Sequence, residues 1–332
     1  MPAENTLHFT EITIPVTYGH ISGRWYGDQS VRPLLALHGW LDNCGTFAKL
    51  APLLVRTAGS VLCIDLPGHG YSSHLPPGII YHTMEYVRVI IGLMKSYNWS
   101  KVSLMGHSMG GSVAFYFTAL YPTKVDLLIQ IDVVKRDSFG PVLNLDYRRS
   151  AMNKALLDNE RLMDAAILQE PPSYAFAECE RLLHKGSGNS VNLENCKYIL
   201  ERNLSKSRKY PEKYYFSRDT RVKYILDFEA EKAFFQAMAM RICAIKIPHL
   251  VIKAGASTNI GPESTELIAI MNENNPHFET HVVPNGTHHV HLNDAPLIAK
   301  LIAPFLKRYL PLADFQVEQS GAKNELLPKG KL

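Results

Sequence analysis

Residues 103–115 read SLMGHSMGGSVAF, and the serine at their centre, Ser108, has a glycine two residues to either side. The apolar stretch before it, KVSLM, has the character of a buried strand, and GGSVAFYFTALYP after it has the character of a helix halted by Pro122. A chain that passes from strand to helix through Gly106-His107-Ser108-Met109-Gly110 turns so sharply that the positions flanking the bend must be nearly free of side chain. The serine hydroxyl then stands above the sheet, where the start of the helix favours developing negative charge. In this setting the G-x-S-x-G spacing predicts Ser108 as a nucleophile; the plainer alternative is an ordinary strand-to-helix turn.

The rhythm around this stretch is that of an α/β protein. RPLLALHGW and SVLCIDLPGHG carry short apolar runs that stop at glycine or proline, as buried parallel strands do. YHTMEYVRVIIGLMKSYN has helical spacing, and VDLLIQIDVV, IPHLVIKAG and HFETHVVPNG read as further strands. PESTELIAIMNEN and APLIAKLIAPFLKRYL read as helices. Such alternation predicts a mostly parallel sheet with helices on both faces. The N-terminal HFTEITIPVTYGHISGRWYG alternates around turn residues and predicts an antiparallel ribbon at the sheet edge. From 135 to 244 the pattern is helical without a convincing strand, which predicts a helical cap over the strand ends, where such sheets bind ligands. The expected organisation is therefore a core of 1–134 and 245–312, a cap of 135–244 and a mobile tail of 313–332.

Composition narrows the class of partner. The 332 residues carry 35 basic and 31 acidic side chains, a net charge of +4, too small for a broad phosphate-binding face, so nucleic acid is not an expected partner. Cys44, Cys63, Cys179, Cys196 and Cys243 are an odd, scattered set with no C-x-x-C pair, which fits reduced thiols better than a disulfide framework or a structural zinc site. The first residues show no basic stretch followed by an apolar core, and no run of about 18 apolar residues occurs, so neither secretion nor membrane spanning is expected. The expectation is a cytoplasmic protein, with the ending Gly330-Lys331-Leu332 a weak approximation to a peroxisomal address.

Two further stretches bear on Ser108. LHGW at 37–40 ends an early strand with a His-Gly pair, so the backbone N–H groups of Trp40 and Met109 are the expected oxyanion donors. His38 is expected to shape that loop by hydrogen bonding. A serine hydroxyl needs a base, and VVPNGTHHVHLNDAP after the last strand offers His288, His289 and His291. No carboxylate or cysteine stands nearby at metal-ligand spacing, so no metal is expected there.

LHGWLDN, DLPGHGYS, GHSMGG and GTHHVHL together resemble the α/β-hydrolase superfamily over most of residues 10–310, and in particular the animal serine hydrolase-like (kraken-like) proteins. The superfamily's C-terminal pattern, approximately G-H-x-x-H-L-E, laid over Thr287-His288-His289-Val290-His291-Leu292 implies His288 as the base, with His289 the alternative. The acid departs from the common pattern. Where the superfamily usually has G-x-x-D, LVIKAGASTNIGPES has Ala256, Ser257 and Asn259. Some members take the acid from the end of strand six, which here implies Asp132; Glu263 and Asp294 are rivals, and Asn259 is a neutral substitute. An ion pair to Lys135 or Arg136 is the structural alternative for Asp132.

The resulting expectation is a serine hydrolase that cleaves an ester or thioester with an apolar acyl part, without a cofactor. A ligand-binding or sensor protein of weak turnover, or a carbon–carbon bond hydrolase, are the alternatives. The basic, aromatic stretch 201–224 reads as a solvated cap face, FEAEKAFFQAMAMRI as a helix that lines or roofs the pocket, though core packing accounts for its apolar residues equally well, and His69 has no assigned chemistry. Neither substrate identity nor oligomeric state is legible.

Overall fold

The computed structural model describes residues 8–136, 141–163, 170–224 and 230–311. The expected mobile tail and its Gly-Lys-Leu ending lie outside these residues. The chain begins with the antiparallel ribbon, β1 (Phe9–Val16) and β2 (Gly19–Gly27), paired from Phe9 with Tyr26 to Val16 with Gly19. The alternation follows as β3 (Leu34–Leu37), α1 (Ala51–Ala58), β4 (Ser60–Ile64), α2 (Thr83–Ser96), β5 (Val102–His107), α3 (Met109–Leu120) and β6 (Val125–Ile131). The insertion carries α4 (Pro141–Met163), α5 (Phe176–Gly186), α6 (Cys196–Asn203), β7 (Leu204–Lys206), β8 (Tyr214–Phe216) and α7 (Lys232–Ala244). Then come β9 (His249–Ala254), α8 (Pro262–Asn274), β10 (Phe278–Val283), α9 (Val290–Asn293) and α10 (Ala295–Tyr309).

Eight strands form one sheet in the order β1-β2-β4-β3-β5-β6-β9-β10, in which β2 alone runs against the others. Every residue of β4 is buried, because both of its faces are covered. Leu62 and Ile64 point into a layer packed by α2, α3, α7 and α8, whereas Val61 and Cys63 point into a second layer packed by α1 and α10. No helix among the described residues is long and apolar enough to cross a membrane.

Two local expectations need correction, and a third is decided in favour of core packing. The insertion contains strands after all: β7 and β8 pair from Leu204 with Phe216 to Lys206 with Tyr214. Three-residue strands are too short to display an alternation. α7 does not line the pocket; it buries Phe235, Met238, Ala239, Ile242 and Cys243 in the same core layer as α3, and the Phe235 ring packs on Tyr116. The stretch 201–224 is not simply a solvated face, because Arg202 and Arg221 are buried.

Arg202 ties the insertion to the sheet. Its guanidinium donates to Asp65 Oδ2 from Nε and Nη2 at 2.9 and 2.8 Å and from Nη1 to both oxygens of Glu11, on β1. Asp65, itself buried just after β4, also accepts the Cys44 and Tyr71 N–H groups at 2.8 Å each. Removing one member of such a buried pair leaves an uncompensated charge. Arg202→Leu is therefore expected to lower unfolding free energy by about 3–5 kcal/mol, read by urea titration. A loss within about 0.5 kcal/mol, the size of an ordinary surface substitution, would show that the pair does not anchor the insertion.

Five buried histidines, His38, His69, His107, His249 and His291, have their imidazoles pushed below the ordinary value of 6.5, with burial the largest cause in each case. For His249 the value falls to about 3. Its Nε2–H donates to Gln130 Oε1 at 2.8 Å, the Gln130 amide nitrogen being committed to Gly111 O and Val134 O. A depressed histidine favours the fold above its unfolded-state pKa, and that contribution falls as pH drops below about 6.5, because the unfolded chain takes up protons the fold refuses. Stability is therefore expected to decline as pH falls below about 6.5, each residue ceasing to contribute to the decline once its own folded-state value is reached. Denaturant titrations at pH 7.5, 6 and 5 check this; equal midpoints would refute it.

Candidate active site

The bend at Ser108 is built by close approach of backbone to backbone. Ser108 has φ 51° and ψ −121°, a conformation that side chains rarely adopt. A Cβ on Gly106 would lie 2.4 Å from the Gly110 backbone, and one on Gly110 would lie 2.2 Å from the Leu37 carbonyl oxygen, at the end of β3. The two glycines are thus required by contact, and β3 and β5 approach at the bend. Met109 opens α3, so its amide is among those that a helix leaves without an internal partner.

His288 lies in the loop between β10 and α9. Its Nε2 is 2.8 Å from Ser108 Oγ and its Nδ1 is 2.7 Å from Asp132 Oδ2. Asp132 is fully buried directly after β6, in the left-handed region at φ 54°. Its Oδ1 accepts the Ala254 N–H at 2.9 Å, and its own N–H donates to Ile252 O at 2.7 Å. Since β6 and β9 are neighbours, a carboxylate at the end of β6 reaches the place that the turn after β9, with Ala256, Ser257 and Asn259, leaves without one. Lys135 pairs with Glu263 instead of Asp132. The rival acids lie elsewhere: Glu263 is in that pair, Asp294 caps α10 through the Leu297 N–H, and Asn259 bonds Ser257.

The other histidines have distinct partners. His289 Nδ1 meets Ser190 Oγ at 2.7 Å and its Nε2 lies 3.3 Å from Asp42 Oδ2, so it does not face Ser108. His291 Nε2 bonds Thr46 Oγ1 at 2.8 Å. His38 accepts the Leu66 N–H on Nε2 at 2.9 Å, so its proton is on Nδ1, directed to Gly39 O at 2.8 Å, and the ring braces the loop that carries Trp40. His69 packs edge-on against His38 at 4.9 Å.

Ser108 opens into a cavity of about 490 Å³. The core contributes Gly39, Trp40, Asp42, His107, His288 and His289, and the insertion contributes Tyr174, Leu182, Leu183, Phe216 and Arg218. The Trp40 indole N–H donates to Val222 O at 2.7 Å, which joins the loop after β3 to the insertion. Among the lining residues without a role in the sequence reading are Asp42, His107 and Arg218. His107 was hidden as the variable position of G-x-S-x-G, and Arg218 among the basic residues of the stretch taken for a solvated face. Arg218 stacks on Phe216 at 5.0 Å, and burial lowers its pKa against the opposing pull of Asp42. Its Nε is buried with no hydrogen-bond partner among the described residues.

Comparison with known proteins agrees with this architecture. The alpha/beta hydrolase fold family matches residues 32–295. A probable serine hydrolase of Drosophila melanogaster is 34% identical over 304 residues, covering 90% of this chain and 87% of that protein. A serine hydrolase-like protein of Danio rerio is 30% identical over 320 residues, covering 96% and 94%. The solved structure of a hypothetical protein from Pseudomonas aeruginosa PAO1 aligns with a TM-score of 0.71 at 25% identity, over 89% of this chain and 98% of that one. From the strand order, the bend at Ser108 and these similarities, the chain belongs to the α/β-hydrolase fold family and, within it, to the serine hydrolase-like proteins.

Proposed function

We propose that this protein hydrolyses a carboxylic ester or thioester through an acyl-enzyme on Ser108. The observation that carries the reading is the unbroken hydrogen-bonded series Ser108–His288–Asp132 at 2.8 and 2.7 Å, open to a cavity. Ser108 Oγ attacks the substrate carbonyl while His288 Nε2 takes its proton. Asp132 holds the imidazole by Nδ1–H and stabilises the imidazolium without accepting the proton. The N–H groups of Trp40 and Met109 receive the oxyanion, each worth about 3 kcal/mol of transition-state stabilisation. His288 then protonates the departing alcohol or thiol, and a water, deprotonated by the same ring, releases the acid. No cofactor enters this scheme. Asp132 supplies the carboxylate whose absence from 255–259 favoured a binding or sensor protein.

The cavity falls in the usual size range of small-molecule sites, about 300–1,000 Å³, and Tyr174, Leu182, Leu183 and Phe216 give it apolar walls suited to an acyl group. Arg218 adds one cation to the wall, so the favoured substrate carries an anionic group.

A fluorophosphonate probe and p-nitrophenyl esters of graded chain length test the reading. Rapid labelling is expected at Ser108 and nowhere else, abolished by Ser108→Ala and His288→Ala. Turnover in Asp132→Asn is expected to fall by about 10⁴. A folded protein whose Ser108 is silent to the probe would overturn the proposal. Arg218→Gln is expected to reduce kcat/KM for carboxylate-bearing esters by about 10- to 100-fold relative to neutral ones, the loss of one charged hydrogen bond. An equal change for both substrate types would remove the anion from the substrate class.

A further inference from the structure

Asp42 Oδ2, His107 Nδ1 and His289 Nε2 lie within 4.8 Å of one another, and all three residues are buried at the cavity wall. In a neutral imidazole the hydrogen bond on the far side of the ring fixes what the near side presents. His107 Nε2 is 2.9 Å from the His288 carbonyl oxygen, which can only accept, so the proton is on Nε2 and Nδ1 presents a lone pair. Ser190 donates its hydroxyl proton to Ser187 O at 2.7 Å, so its Oγ accepts the Nδ1–H of His289 at 2.7 Å. His289 Nε2 therefore presents a lone pair as well. Facing both is Asp42 Oδ2, 3.8 Å from His107 Nδ1 and 3.3 Å from His289 Nε2. Asp42 Oδ2 and His107 Nδ1 have no hydrogen-bond partner among the described residues.

In that neutral state three acceptors converge, and a cation matches all of them. We infer that Asp42, His107 and His289 form a binding site for a divalent transition ion of the zinc class. With metal–ligand bonds of about 2.0–2.2 Å, tetrahedral ligand atoms sit about 3.3 Å apart, which the His289–Asp42 pair already matches and the His107–Asp42 pair approaches. Two imidazoles and one carboxylate leave a fourth position toward the cavity, and a ligating histidine that donates its second N–H to a carbonyl or hydroxyl oxygen is the usual supporting arrangement. Arg218 opposes the ion: its charge is felt by Asp42, although the two form no ion pair. The sequence hid this site because Asp42 and His107 are far from His289 along the chain.

The site touches the hydrolytic centre at two points. His107 directly precedes Ser108 and bonds the His288 carbonyl, and His289 directly follows His288. An ion that draws His107 and His289 toward Asp42 displaces both the bend and the base, so occupancy inhibits hydrolysis. This last step rests on the function proposed above; the binding itself does not.

Equilibrium dialysis of the full chain against Zn²⁺, with Co²⁺ as a spectroscopic substitute, tests binding without any substrate. One ion per chain is expected, with the intense visible bands of tetrahedral Co²⁺, in wild type and equally in Ser108→Ala, which cannot hydrolyse. Asp42→Asn and His289→Gln are expected to lose the bands, and Ser190→Ala to weaken binding by about 10- to 100-fold. Esterase inhibition by Zn²⁺, scaled to each variant's own metal-free rate, is expected to disappear with the bands. Absence of a stoichiometric ion in wild type, or bands that persist in both folded ligand variants, would overturn the inference. Zn²⁺ binding by a protein without esterase activity would sink only the proposed function.

Discussion

Asp132 is a carboxylate with no exposure to water, and burial of such a group is tolerated only when its oxygens are matched by donors. One oxygen is matched by the Ala254 amide and the other by the His288 ring, so the sheet and the hydrogen-bonded series are a single construction. The pairing of β6 with β9, Leu128 with His249 through Ile131 with Ile252, places Ala254 within reach. The pairing of β5 with β6, ending at His107 with Ile131, places the two bends side by side. Both Ser108 and Asp132 sit at positive φ directly after these strands. Such backbone strain persists only where the surroundings over-determine it, and the ladders on either side do so.

Much of this was legible because it is local. The glycines around Ser108 are forced by contacts within a few residues and with the neighbouring strand, and the strands and helices of the core follow their own periodicity. The role expected for His288 needed the resemblance, since three histidines within four positions are equivalent by spacing alone. Asp132 stood out only against the missing carboxylate after β9; its fitness depends on which strand lies beside β6, a property of sheet order. The short α1 and the β7–β8 pair are too brief for periodicity to register. Asp42, His107 and Arg218 were illegible for a different reason: Asp42 looks like loop, Arg218 like surface and His107 like the variable position of a motif until distant segments meet.

Burial also shapes the electrostatics around the hydrolytic centre. The His107 ring lies 4.5 Å from that of His288 and 4.0 Å from that of His291. A proton on either neighbour would repel the imidazolium that the proposed reaction forms at His288. Burial first, and then the neighbouring histidines, hold His107 and His291 well below the ordinary range. Both rings are therefore neutral at physiological pH, and Asp132 is the countercharge in direct contact with His288.

His288 and His289 are consecutive, and each bridges a serine and an aspartate, yet only one of these series suits acyl transfer. In the first, the serine faces the base's Nε2, the aspartate holds Nδ1, and the serine stands at a helix start on the cavity wall. In the second the ring is reversed: Nδ1 donates to Ser190, whose own proton is spent on Ser187 O, and Nε2 turns to Asp42. Ser190 is buried away from the cavity lining, and its oxygen, already accepting an N–H, has no base to remove its proton. The reversal converts a potential proton relay into a fixed donor that holds a lone pair toward Asp42. Adjacent residues with the same side chain thus suit opposite proposed roles, one the transfer of a proton and the other the presentation of a ligand, through nothing more than which ring nitrogen meets the carboxylate.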